Sequence, residues 1–175
     1  MRSQGQTMPA DPIRCTVDGV AVTLDGPPER RLTDILREDC GAMDVKRGCD
    51  IGRCGACMVL VDGVAANACL VMAYQAEGAS ITTPSGLDAL PIAAIIRNAL
   101  VEEVSFQCGY CAPGFTIALT GLFLANPFPD REAILTALEG NLCRCTGYHS
   151  ILRGAEAAAA TLAAKAAGAE QGPTP

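Results

Sequence analysis

The chain has 175 residues and a formal net charge of −6 at pH 7; half of its residues are apolar and Trp is absent. This length can bury about 70% of the unfolded chain's surface without disulfides, and the acidic charge argues against nucleic-acid binding. Because we find neither an apolar run of about 18 residues nor a secretory signal, we expect no membrane span and a cytoplasmic protein.

The first half of the chain shows the pattern of a small α+β unit. Its expected elements are a hairpin (13–17 and 20–24 around Asp18-Gly19), a helix from about Leu32 to Asp39, a Gly-rich loop (48–57), a second hairpin (58–61 and 64 onward around Asp62-Gly63) and a strand (80–82). Asp-Gly between apolar runs favours a two-residue hairpin turn. We expect Thr33 to cap the helix.

The second half is predicted to be helical. Pro84-Ser85-Gly86 marks the boundary, after which apolar residues recur at helical spacing. Four amphipathic helices are expected, starting near Pro91, Pro113, Asp130 and Ser150, with Asp130 as a cap, Gly140 as a terminator and the last helix ending near Ala166. Short connections between them predict a bundle. The predicted organisation is a flexible arm (1–12), the α+β unit (13–84), the helical domain (85–166) and a flexible tail (167–175).

Eight of the ten cysteines fall into two spaced sets. The first quartet is Cys49, Cys54, Cys57 and Cys69, and the second quartet is Cys108, Cys111, Cys143 and Cys145. The first has the C-x4-C-x2-C…C spacing with which plant-type ferredoxins hold a [2Fe–2S] cluster. Gly48, Gly52 and Gly55 permit close backbone approach there, so that N–H groups can point at sulfur. The second quartet has different spacing and needs a different scaffold.

Zinc and disulfides are the competing explanations for these cysteines. Zinc quartets usually come as two C-x2-C pairs, whereas each quartet here contains one. Disulfides are disfavoured in a cytoplasmic chain of this length. Cys15 and Cys40 are left over, and we expect them to be small buried apolar residues. His149 is the single histidine, so no His-based site is expected, and no phosphate-binding glycine motif is present.

Three segments carry a family resemblance: 48–60 (GCDIGRCGACMVL), 106–115 (FQCGYCAPGF) and 140–152 (GNLCRCTGYHSIL). With them, the chain from about Ile13 to Ala166 resembles the iron–sulfur subunit of molybdenum hydroxylases, the superfamily of xanthine dehydrogenase, aldehyde oxidoreductase and carbon monoxide dehydrogenase. The resemblance implies an α+β protein with a plant-type ferredoxin-like (β-grasp) domain over 13–84. It also implies an all-α four-helix-bundle domain over 85–166.

The resemblance also implies the cofactors and partners. Each quartet would ligate one [2Fe–2S] cluster, and Gln107 and Cys145 match positions that hydrogen-bond a pterin. The expected partners are a large catalytic subunit with molybdopterin (cytosine dinucleotide) and a medium subunit with FAD. Electrons would pass singly from the pterin through the second quartet's cluster and then the first quartet's cluster. They would leave to the flavin subunit or to an external acceptor.

The substrate expected from the family is an N-heteroaromatic, purine-like compound or an aldehyde. Aerobic carbon monoxide dehydrogenase and hydroxybenzoyl-CoA reductase complexes are alternatives, as are a free ferredoxin-like carrier and a zinc scaffold. Three positions depart from the family pattern: Arg53, Tyr110 in place of a common Phe, and His149 in place of a frequent Gln. A cation at Arg53 is expected to raise the potential of the first cluster.

Overall fold

A computed structural model describes residues 12–169; the rest of the N-terminal arm and residues 170–175 lie outside the described residues. The strands are β1 (Ile13–Val17), β2 (Val20–Leu24), β3 (Met58–Val61), β4 (Val64–Asn67) and β5 (Ser80–Thr82). The α-helices are α1 (Leu32–Glu38), α2 (Pro91–Glu102), α3 (Ala112–Ala125), α4 (Arg131–Leu138) and α5 (His149–Ala169). Short 3₁₀ turns at Ala73–Ala76 and Gly86–Ala89 were not expected from the sequence.

The five strands form one mixed sheet in the order β2-β1-β5-β3-β4. β5 runs parallel to β1 and antiparallel to β3. Both Asp-Gly pairs have positive φ at both residues, 51° and 80° in the first hairpin and 50° and 82° in the second. Positive φ at both central residues is the type I′ geometry, whose twist matches that of the flanking strands in a two-residue hairpin. Both predicted hairpins are therefore confirmed.

α1 begins two residues earlier than a Thr33 cap requires. Leu32 is already helical and Arg31 holds the N-cap position, without a side-chain hydrogen bond. Thr33 is fully buried, because it faces the sheet from the first turn of the helix. The predicted cap is therefore wrong.

Two apolar cores lie on opposite faces of β3. Val59 packs with Leu32 and Ile35 in the core between α1 and the sheet. Met58 and Leu60, which point the other way, pack with the helices of the second half. The two halves of the chain therefore share one strand, and the helical half buries its apolar surface partly on the sheet of the first half.

α3 is the central helix of the second half. Nine of its residues are buried, which is expected of a helix surrounded on all sides. Gly121 lets it approach β4 closely, since a Cβ there would lie 3.1 Å from the Ala65 Cβ and 3.2 Å from the Ala65 nitrogen. α3 thus contacts the sheet and the other helices at once.

The helix ends largely follow the predictions. The Asp130 carboxylate accepts a 2.8 Å hydrogen bond from the Ala133 N–H, which confirms it as the cap of α4. α5 begins at His149 and continues to Ala169, past the predicted end at Ala166. Among the described residues, none of the helices combines the length and apolar character needed to cross a membrane.

Candidate metal centres

The first quartet lies where the sheet meets the Gly-rich loop. Cys49 and Cys54 belong to the loop between α1 and β3, Cys57 directly precedes β3, and Cys69 follows β4. The thiols contact each other in two pairs, Cys49 with Cys54 and Cys57 with Cys69. The first pair is half-buried and the second is buried.

Backbone N–H groups of the loop point at the sulfurs of the first quartet. The Arg53 N–H donates to the Cys49 Sγ at 3.2 Å, and the Gly52 N–H donates to the Cys69 Sγ at 3.2 Å. Hydrogen bonds from Ile51 and Arg53 lower the pKa of Cys49 to about 7 against the opposing effect of burial. Gly52 has a φ of +72°, a conformation that favours glycine. The loop is therefore built to stabilise anionic sulfur.

Cys57 lies in a drier environment. Burial raises its pKa to about 12, so a neutral thiol is favoured until a cation compensates the charge. The buried Thr33 hydroxyl has no hydrogen-bond partner among residues 12–169, yet it lies near enough to Cys57 to favour the thiolate. A metal-bound thiolate at Cys57 would give this orphaned donor an acceptor.

The second quartet lies at helix ends, as predicted. Cys108 and Cys111 precede α3, and Cys143 and Cys145 lie between α4 and α5. The Cys108 and Cys145 sulfurs are 3.7 Å apart and both residues are exposed. Cys111 and Cys143 form the other pair and are half-buried. This quartet therefore has one solvent-facing pair and one pair turned towards the protein.

Two side chains that the sequence did not single out support Cys143. The Thr146 hydroxyl lies 3.1 Å from the Cys143 Sγ, and the Cys143 N–H donates to the Tyr148 hydroxyl at 3.0 Å. Burial acts to raise the pKa of Cys143, but the Thr146 hydroxyl and nearby N–H groups lower it overall. Burial raises the pKa of its pair partner Cys111 to about 12. No local sequence pattern distinguishes these contacts from ordinary turn residues.

The paired arrangement favours a two-iron cluster over a zinc ion. A structural zinc ion needs four ligands around one centre. Within residues 12–169, no three His, Cys, Asp or Glu side chains are grouped to hold a single ion. A [2Fe–2S] cluster instead needs two thiolates on each of two irons. The two-by-two pairing in both quartets is the arrangement that a [2Fe–2S] cluster requires.

The remaining predicted residues are placed as follows. Gln107 is exposed and adjoins Cys108 in the chain. Cys15 is buried in the core between α1 and the sheet, and Cys40 packs against that core half-buried. Burial raises the pKa of both thiols. His149 is exposed at the start of α5.

The fold and the paired thiols define an iron–sulfur protein with two [2Fe–2S]-binding domains. A family model described as a 2Fe-2S iron-sulfur cluster binding domain matches residues 15–82, and one described as a [2Fe-2S] binding domain matches residues 83–156. The chain is 49% identical over 142 residues to a probable xanthine dehydrogenase subunit from Bacillus subtilis, covering 81% of this chain and 82% of that one.

Solved structures agree with this assignment. Quinoline 2-oxidoreductase from Pseudomonas putida 86 superposes with a TM-score of 0.77 at 34% identity, over 87% of this chain and 96% of that chain. The aldehyde oxidoreductase from Desulfovibrio gigas gives 0.80 at 36% identity, over 88% of this chain and 17% of that longer chain. The chain belongs to the family of iron–sulfur subunits of xanthine dehydrogenase and aldehyde oxidoreductase enzymes. It is thus an electron-transferring subunit of an oxidoreductase.

Proposed function

We propose that all eight paired cysteines are cluster ligands, with one [2Fe–2S] cluster in each domain. The observation that carries the proposal is the pairing of thiols two by two in both quartets. When bound, each cluster takes up and releases one electron at a time. The domain limits that accompany this proposal are 13–84 and 85–166.

The chain's own residues prepare each site for a change of charge. In the first quartet, the N–H groups of Gly52 and Arg53 face the sulfurs and stabilise added negative charge without rearrangement. Burial of Cys57 and Cys69 keeps water from one side of that site. In the second quartet, the exposed pair Cys108 and Cys145 leaves the other side open to a partner.

The exposed side of the second quartet supports a direction of electron transfer through the chain. Gln107, Cys108 and Cys145 are all exposed at the second quartet, which suits a contact with a molybdopterin in a large catalytic subunit. There Gln107 and Cys145 would hydrogen-bond the pterin. Electrons then pass to the first quartet's domain and on to a medium FAD subunit or another acceptor.

The acceptor side has its own exposed apolar residues. Ile51 is 61% exposed and Leu70 is 55% exposed, and Leu70 packs over Gly52 in the loop of the first quartet. Large apolar side chains exposed together at a functional loop are typical of a protein contact. We assign this surface to the flavin subunit or acceptor.

For the whole complex we propose oxidation of an N-heteroaromatic compound or an aldehyde. Relatives of this chain are named for xanthine and quinoline, and others for aldehydes. We place the complex in the cytoplasm, because a reducing compartment keeps cysteines free as cluster ligands. Every cysteine in the described residues is a free thiol.

The ligand assignment is tested by single Cys→Ser substitutions in the full chain. Cys57→Ser should remove the first cluster alone and Cys111→Ser the second alone, each halving iron and acid-labile sulfide. Cys40→Ser is the matched control, since Cys40 is a free cysteine that belongs to neither quartet. This variant should keep both clusters. Loss of both clusters in Cys40→Ser, or of neither in Cys57→Ser, would contradict the assignment.

The direction is tested in the assembled complex. Gln107→Ala should slow reduction of the clusters by substrate while leaving their reduction by dithionite unchanged. Glu102→Ala, an exposed change at the end of α2, is the control. Equal rates of substrate-driven reduction in Gln107→Ala and wild type would remove the role proposed for Gln107.

A further inference from the structure

Tyr110 joins the loops of the two quartets. It lies between Cys108 and Cys111 in the chain, and its hydroxyl donates a 2.6 Å hydrogen bond to the carbonyl oxygen of Arg47. Arg47 lies two residues before Cys49. A side chain from the second quartet's loop thus bonds the backbone that leads into the first quartet.

The acceptor of this hydrogen bond is itself held in place. The Arg47 guanidinium forms ion pairs with Asp34 and Glu38 of α1, the latter at 2.9 Å. Arg47 therefore connects α1 through its side chain and Tyr110 through its carbonyl. Exposed ion pairs of this kind contribute little stability alone, but here two of them restrict the segment that accepts the Tyr110 hydrogen bond.

A second hydrogen bond joins the quartets near the same place. The Leu142 N–H donates to the Cys54 carbonyl oxygen at 3.0 Å. Leu142 directly precedes Cys143, so this bond connects a residue of the first quartet to the neighbour of one in the second. The Leu142 amide hydrogen is consequently a local reporter of contact between the two loops.

Backbone packing closes the same junction. Gly114 in α3 lies against Gly55, and a Cβ on Gly114 would overlap the Gly55 carbonyl oxygen. On its other side, Gly55 faces the loop after α4: a Cβ on Gly55 would lie 2.8 Å from the Gly140 carbonyl oxygen. The segment that contains Gly55 is thus clamped between α3 and the loop that carries Asn141, whose side chain is 2% exposed.

We propose that Tyr110 is a positioning residue whose hydrogen bond to Arg47 fixes the separation and orientation of the two quartets. The proposal rests on the proposed function in so far as the quartets hold clusters. A Phe at this position would have no hydroxyl to make the bond. The Tyr110 hydroxyl thus supplies a side-chain hydrogen bond across a junction where the Leu142–Cys54 hydrogen bond and the Gly114–Gly55 contact are between backbones.

The test compares Tyr110→Phe with wild type in the cluster-containing full chain. Losing one neutral hydrogen bond should raise the open fraction of the junction about fivefold. Hydrogen–deuterium exchange at the Leu142 amide should accelerate by that factor. Tyr74→Phe is the control, because Tyr74 is 59% exposed and its hydroxyl makes no hydrogen bond within residues 12–169.

A magnetic readout separates positioning from general stability. The splitting between the two reduced clusters in EPR spectra depends on their distance and orientation, so Tyr110→Phe should weaken or broaden it without altering either cluster's own signal. Unchanged splitting and exchange would overturn the proposal. Faster exchange at Leu142 with an unchanged splitting would also overturn it, since that shows a loss of stability without a change in the positions of the clusters. Iron and sulfide contents, measured first, test the proposed function separately.

Discussion

Replacing Gly114 by Ala places one methyl group in a close backbone contact between the two domains. The new Cβ would overlap the Gly55 carbonyl oxygen, lie 3.1 Å from the carbonyl carbon and lie 3.3 Å from the Ala56 Cα. These are backbone atoms and have no rotamer to change. Gly55 itself has a φ of +68°, and the Gly140 carbonyl oxygen lies on its other side. The Gly55 segment therefore cannot move away from α3 without a new clash.

The cost follows from that geometry. Restoring ordinary contact distances needs a displacement of about 1 Å, and overpacking of this kind costs about 1 to 3 kcal/mol. The higher helix propensity of alanine offsets up to about 1 kcal/mol of this cost. Taking the middle of the overpacking range, about 2 kcal/mol, we expect a net loss of about 1 to 2 kcal/mol. The Tm should then fall by roughly 2 to 8 °C for a chain of this size.

Thermal unfolding of the cluster-containing chain, followed by circular dichroism at one scan rate, measures this change. The matched control is Gly140→Ala, whose Cβ would meet nothing closer than the Met58 Cε at 3.9 Å; its Tm should stay within about 1 °C of wild type. A Gly114→Ala variant with the wild-type Tm would refute the argument that backbone contact at this point sets the junction.

Three further outcomes are expected. Asp18→Ala removes the carboxylate that accepts 2.7 Å hydrogen bonds from the N–H and hydroxyl of buried Thr83, and should lower stability by about 2 to 3 kcal/mol in urea unfolding; an unchanged midpoint would show that water replaces it. Arg53→Gln should lower the first cluster's potential by roughly 20 to 40 mV in a redox titration, and no shift would exclude an electrostatic role for Arg53. In the cluster-free chain under reducing conditions, burial raises the pKa of Cys57 and Cys111 from 9.0 to about 12. Unfolded thiols then ionise first, so stability should fall as pH rises from about 9 to 12, and a higher urea midpoint at pH 10 than at pH 8 would contradict the sign.

Local signals explain what the sequence predicted well. Both hairpins are set by an Asp-Gly pair between apolar runs, and α4 is set by an aspartate whose carboxylate reaches its own helix. The spacing of the first three cysteines of the first quartet, Cys49, Cys54 and Cys57, is also local. These features depend on residues within a few positions of each other, which is the range over which sequence patterns are informative.

The unpredicted features depend on contacts between distant segments. The Tyr110–Arg47 hydrogen bond joins residues 63 apart, and no local pattern marks it. Thr33 resembles a cap until the sheet buries it. The shared strand does carry a local signal: the apolar run 58–61 is continuous, which indicates a strand buried on both faces, and its two faces do carry the two cores.

The central claim is that this chain holds two [2Fe–2S] clusters on paired thiolates. Iron and acid-labile sulfide analysis of the purified chain, combined with EPR of the dithionite-reduced protein, tests it most directly. We predict two irons and two sulfides per cluster and two distinct cluster signals, one for each matched domain. Stoichiometric zinc without labile sulfide, or a single cluster signal with half the iron, would contradict it.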